Sequence, residues 1–217
     1  MTAASTPTAG QTTAARRHEV DRRLQLWGGA AAMLGAVLGT APQLLLGAGG
    51  VVPPLLLQSL PILAALLLVA AAVLLAKAFV GDRASFGVAK LGGILLILFF
   101  CWWLAVVVVP AEWWLLGAAS GEVWNASRLV IGVAAGVAIA TSWPASGFNR
   151  WSALIVAACF GLAIYGSYAL ILTMGPTGAD AALLLSLIQP LSLLAFGAGH
   201  AISGWRGTRA ADGDASA

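Results

Sequence analysis

The sequence predicts an all-α polytopic membrane protein: a bundle of six transmembrane helices with short loops and with the N and C termini both cytoplasmic. Three observations carry that expectation. The 217-residue chain is 60% hydrophobic and 9% charged, with a mean hydropathy of +0.94, whereas an average soluble domain is about half apolar and about a quarter charged. Its apolar residues fall into runs long enough to cross a hydrocarbon core about 30 Å thick, each crossing taking about 20 helical residues. Its lysines and arginines collect on one side of those runs once six are drawn.

Residues 1–23 are small and polar, then basic, and bury too little apolar surface to fold alone, so they read as a disordered cytoplasmic tail. The first span covers about 24–46. A basic stretch before an apolar run also suits a signal peptide, but this run is longer than a signal core and has no clear small-x-small cleavage site. The second span, 54–79, is entered through Pro53 and Pro54, which a helix start accepts because its first N–H groups are unpaired in any case. Gly81, Asp82 and Arg83 turn the chain into the third span, 86–109, which Pro110 ends. The stretch from Ala111 to Ser127 is apolar and aromatic but broken, and reads as a short helix or loop lying along the outer interface. The fourth span is 129–143, the fifth 151–174 and the sixth 180–205, the last following the breaker at 175–178. Residues 206–217 form a second disordered tail, so 24–205 is one transmembrane domain and no length remains for a separate soluble one.

Orientation follows from charge. Arg16, Arg17, Arg22, Arg23, Lys77, Arg83, Lys90, Arg150, Arg206 and Arg209 share one side, which is therefore cytoplasmic, and Arg128 stands alone opposite. Adding or dropping one span would scatter them. The nine tryptophans agree with belts at two interfaces: Trp27, Trp143, Trp151 and Trp205 inside, Trp102, Trp103, Trp113, Trp114 and Trp124 outside. A net charge of +3 would suggest nucleic acid in a soluble protein, but here the cations edge the apolar runs, so the expected partner is the lipid bilayer and not nucleic acid. The Ala, Gly, Val and Leu bias with few lysines fits high-GC bacterial coding, hence a multi-pass protein of a bacterial plasma membrane.

Two patterns of small residues place glycine on one helix face: Gly35 with Gly39 in the first span, and Gly132 with Gly136 in the fourth. Such faces let backbones approach closely, either within the bundle, the more ordinary use, or in a homo- or hetero-oligomer. Polar groups inside spans are few. Gln43, Gln58 and Gln189 each lie next to or one turn from a proline (Pro42, Pro61, Pro190) that frees a carbonyl about one turn earlier. With Tyr165 and Tyr168 of the fifth span they form a candidate polar site, and the plainer alternative is hydrogen bonding that mends kinks. Lys77 and Lys90 are expected to snorkel to the inner interface.

Other chemistries are not supported. Cys101 and Cys159 lie far apart inside apolar runs and suit neither a disulfide nor a metal cluster, and His18 and His200 cannot hold a haem between opposed helices because His18 lies in the tail. No cofactor is expected. An intramembrane hydrolase would require Ser142 or Ser146 within reach of His200, which reads instead as an inner-interface histidine; both serines fall at the cytoplasmic end of the fourth span, too shallow for that role. The expected function is therefore a non-enzymatic accessory or interaction component acting through helix packing, with a transporter or channel for a small or apolar solute as the alternative and the hydrolase a distant third.

Overall fold

The computed structural model describes residues 9–80, 87–109, 118–143, 145 and 147–214. The expected turn at Asp82, the outer stretch 110–117 with Trp113 and Trp114, and Ser146 lie outside these residues. Every described element is helical: α1 (Ala9–Gly47), α2 (Pro54–Val80), α3 (Val88–Val108), α4 (Ala118–Ser142) and α5 (Phe148–Gly161), then a π-helical turn (Leu162–Gly166), α6 (Ser167–Met174), a 3-10 turn (Gly175–Thr177), α7 (Gly178–Ser186) and α8 (Ile188–Asp214). Among the described residues, six stretches are long and apolar enough to cross a membrane: His18–Gly47, Pro54–Val80, Val88–Val108, Gly121–Ser142, Phe148–Met174 and Gly178–Arg206.

Two boundaries differ from expectation. The chain is already helical from Ala9 and remains so to Asp214, where disordered tails were expected over 1–23 and 206–217. Neither helical extension contains proline, the N-terminal one is rich in Ala and Arg, and there Glu19 pairs with Arg23 one turn on. Residues 118–127, within the stretch expected to lie along the outer interface, are helical and continuous with the fourth span. This continuity draws Arg128 into the bundle.

The spans form a closed ring. Each packs on its neighbour in sequence, α1 on α2, α2 on α3, α3 on α4 and α4 on α5, and α8 closes the circuit against both α5 and α1. Short connections make sequential neighbours spatial ones. Inside the ring Leu68, Ala72 and Leu75 of α2 meet Leu96, Phe99 and Phe100 of α3, Ile139 of α4, Val156 and Phe160 of α5, and Leu193 and Phe196 of α8. The outward faces are apolar as well, with Leu66, Leu98, Val130, Leu172 and Leu184 all exposed. That is the signature of helices whose solvent is hydrocarbon on one side and protein on the other.

Glycine sets the closest approaches. A Cβ on Gly29 would lie 2.4 Å from both the Ala201 nitrogen and the Gly197 carbonyl oxygen, and one on Gly204 would lie 2.7 Å from the Arg22 carbonyl oxygen. Backbone therefore touches backbone along the α1–α8 seam that closes the ring. Pro190 has the effect expected of it: lacking an N–H, it leaves the Ser186 carbonyl without its helical donor, and the sixth span breaks there into α7 and α8.

Candidate functional site: two buried polar clusters

The five polar residues singled out from sequence lie on the first, second, fifth and sixth spans. Gln43 and Gln58 are exposed, each about one turn from the end of its helix, while Gln189 and Tyr165 are half-buried and Tyr168 is exposed. Among the described residues no hydrogen bond joins any two of these five. Tyr165 lies in the π-helical turn, and nearby Ser167 donates to the Ala182 carbonyl at 3.2 Å, tying the fifth span to the sixth. The glycine faces are occupied within the chain. A Cβ on Gly35 would lie 3.0 Å from the Ala64 carbonyl oxygen and one on Gly39 would lie 3.5 Å from the Ala64 Cβ, while one on Gly132 would meet the Phe99 ring at 2.7 Å and one on Gly136 the Leu154 Cα at 2.5 Å.

Two other groups of polar side chains are buried instead. The first lies toward the end of the bundle that carries both termini. His200 of α8 is 1% exposed, so its side chain is enclosed by protein. It sits between the edges of Phe79 and Phe196, at centroid separations of 5.6 and 4.8 Å, with Nε2 3.4 Å from the Ser152 hydroxyl. Ser152 also donates to the Asn149 carbonyl at 2.9 Å, and the Asn149 amide donates to the Gly199 carbonyl at 3.1 Å and the Ser203 hydroxyl at 2.7 Å. The serine near His200 is thus Ser152, whereas Ser142 turns its hydroxyl back to the Ala138 carbonyl of its own helix.

This arrangement is poorly set for nucleophilic catalysis. A serine needs a base whose far nitrogen is held by a third group. Here Nδ1 of His200 has no hydrogen-bond partner among the described residues, and both side chains are sealed from solvent. The bonds from Asn149 and the contact between Ser152 and His200 instead tie α5 to α8. Beside them the Trp143 indole donates to the Ala89 carbonyl at 3.0 Å and stacks on Phe79, so this tryptophan is an internal clamp instead of a headgroup anchor.

The second group lies toward the opposite end. Arg128, counted from sequence as the one cation of the outer surface, is 6% exposed. Its guanidinium carbon stands 3.9 Å from the Phe160 ring centroid, 4.3 Å from that of Trp103 and 4.8 Å from that of Phe99. A signal for this burial was present in the sequence: Arg128, Gly132 and Gly136 recur at steps of four, so all three share the inward face of α4.

Magnitudes decide what the aromatic box achieves. An arginine within a span costs about 2.5–3.5 kcal/mol on an insertion scale, and a desolvated cation–π contact returns about 2 kcal/mol. Three rings can therefore offset the charge. Ring contacts of this kind are not conventional hydrogen bonds, however, and do not by themselves match the guanidinium's N–H donors with acceptors. Nε and Nη2 of Arg128 are both buried and have no hydrogen-bond partner among the described residues. Each unmade bond of that kind carries a penalty of about 1–3 kcal/mol, more where the donor is charged.

Between the two clusters lies the apolar layer of Leu96, Phe100, Ile139, Val156 and Leu193. No protein-family model, curated protein or solved structure matches this chain.

Proposed function

We propose that this chain is a non-enzymatic membrane protein that binds an anionic solute within its bundle and passes it across a bacterial plasma membrane, in the manner of a transporter, with both termini on the cytoplasmic side. The observation that carries this reading is Arg128, a cation held inside an aromatic box with two donors unmatched. Packing alone gives no reason to keep it, since an apolar side chain of similar volume is as stable or more so at a buried position. The charge asymmetry of the sequence supports the orientation. An accessory role through helix packing, which the sequence favours, loses its main support because Gly35, Gly39, Gly132 and Gly136 face the chain's own helices.

The test is flux. Protein reconstituted into liposomes preloaded with unlabelled small carboxylates is offered the radiolabelled species outside, and counterflow above that of protein-free liposomes is expected. Uptake equal to the protein-free control across mono- and dicarboxylates, phosphate and sulfate would overturn the transport reading.

A further inference from the structure

We infer that Arg128 is the anchor of a carboxylate-binding site, its Nε–H and Nη2–H holding the two oxygens of one monovalent carboxylate while Phe99, Trp103 and Phe160 enclose the ion pair. The inference rests on the anion-handling reading above and names its ligand class.

The choice of atoms is the first argument. Nε and Nη2 are the two nitrogens along one edge of the planar guanidinium, and their N–H bonds point the same way, forming the fork that meets a carboxylate side-on through two parallel hydrogen bonds. These are the two nitrogens without a partner among the described residues. An arginine held only by stacking would have no reason to leave one complete edge unmatched.

Charge is the second argument. A single guanidinium in an apolar surround neutralises one negative charge. A dianion such as phosphate would keep an uncompensated charge in a low-dielectric site, at a penalty of several kcal/mol. The cations nearest in sequence, Lys90 and Arg150, belong to the end of the bundle that carries the termini. Arg150 there donates from Nε to the Ala140 carbonyl, at the last turn of α4.

The surroundings supply the third. The three rings around the guanidinium exclude water, which strengthens an ion pair formed there and disfavours ligands that cannot neutralise the charge. They also suit an apolar tail beyond the carboxylate.

The experiment uses the purified full chain in detergent micelles, titrated with acetate, hexanoate, inorganic phosphate, the short-chain lipid dihexanoyl phosphatidylglycerol and neutral hexanol. Binding is read by calorimetry and by tryptophan emission, with Trp103→Phe identifying the contribution of Trp103. Saturable carboxylate binding is expected, lost in Arg128→Met and at least tenfold weaker in Arg128→Lys, which keeps the charge but not the fork. Acetate matching hexanoate would indicate a water-soluble acid; hexanoate alone would indicate an apolar-tailed one. Both support the assignment.

Glu112 is an acidic residue of the sequence between α3 and α4, the helices that carry Trp103 and Arg128, so Glu112→Gln is titrated in parallel. Absence of saturable carboxylate binding in both wild type and Glu112→Gln would overturn the proposal. Binding unchanged in Arg128→Met would do the same, as would preference for phosphate or the phosphodiester lipid over carboxylate. Carboxylate binding without counterflow overturns transport and leaves this site standing, whereas counterflow indifferent to Arg128→Met removes the site and leaves transport.

Discussion

The seam between the first and last spans gives the sharpest test of the packing. In Gly29→Ala the new Cβ would lie 2.4 Å from two backbone atoms of α8, the Ala201 nitrogen and the Gly197 carbonyl oxygen, and 2.9 Å from the Ala201 Cα. None of these is a flexible side-chain end, so the two helices must part. Overpacking of this kind costs about 1–3 kcal/mol, and contact with backbone places it at the upper end. Alanine in place of glycine in a helix returns about 0.5–1 kcal/mol, leaving a net loss of about 2 kcal/mol. Gly39→Ala makes the same chemical change where the Cβ would meet only the Ala64 Cβ at 3.5 Å. It should keep the whole helix gain of about 0.5–1 kcal/mol. The two substitutions therefore separate by about 3 kcal/mol although their chemistry is identical. Unfolding in mixed micelles by increasing SDS fraction, followed by far-UV circular dichroism, measures the difference. Gly197→Ala, whose Cβ would lie 2.6 Å from the Gly29 carbonyl oxygen, should fall with Gly29→Ala. The double variant should lose less than the sum, because one parting of the helices accommodates both. Equal midpoints for Gly29→Ala and Gly39→Ala would refute the close approach, and full additivity would show that the two positions do not share a seam.

Three further outcomes are expected. Asn149→Ala leaves the Gly199 carbonyl and the Ser203 hydroxyl without their donor and should cost about 2–3 kcal/mol by the same SDS titration; a change under about 0.5 kcal/mol would show that the amide does not join α5 to α8. Arg128→Met exchanges a desolvated cation for an apolar chain and should stabilise the ligand-free protein by about 1–4 kcal/mol, so a lower SDS midpoint would mean that the guanidinium already has its partner within the chain. In a background of Cys101→Ser and Cys159→Ser, Asp82→Cys should react with a membrane-impermeant maleimide only after cells are permeabilised; labelling of intact cells would reverse the assigned orientation.

Most of the architecture was legible because hydrocarbon imposes a simple rule. Each crossing needs a continuous apolar helix, and prolines and glycine-rich breaks such as Gly175–Thr177 mark where one ends. The sixth span, drawn unbroken over 180–205, is interrupted just before Pro190, whereas Pro42 and Pro61 lie within continuous helices. The buried polar groups were harder to find. Arg128 was read as a surface charge because the apolar run seemed to start at residue 129, whereas α4 is already helical upstream of it and packs it against Trp103 of α3 and Phe160 of α5. Ser152 and His200 stand 48 residues apart, and only the docking of α8 on α5 brings them together. The three glutamines attracted notice as polar side chains in apolar runs, yet Gln43 and Gln58 lie so near helix ends that they need no internal partner. Trp143 shows the same limit from the other side. Position alone cannot tell an indole that anchors in headgroups from one that donates inward to Ala89.

The closure of the ring by α8 has a consequence for how the protein is made. A ribosome releases the spans in order, so α1 emerges first while the helix that covers Gly29 emerges last. Until then the small-residue strip of α1 faces lipid or whatever protein shelters nascent spans. The earlier pairs form locally, each a hairpin of adjacent segments, and only the final docking joins regions separated by most of the polypeptide. A chain cut short before Gly197 would thus insert yet stay open along one side, presenting an unfilled groove that membrane quality-control proteases can recognise.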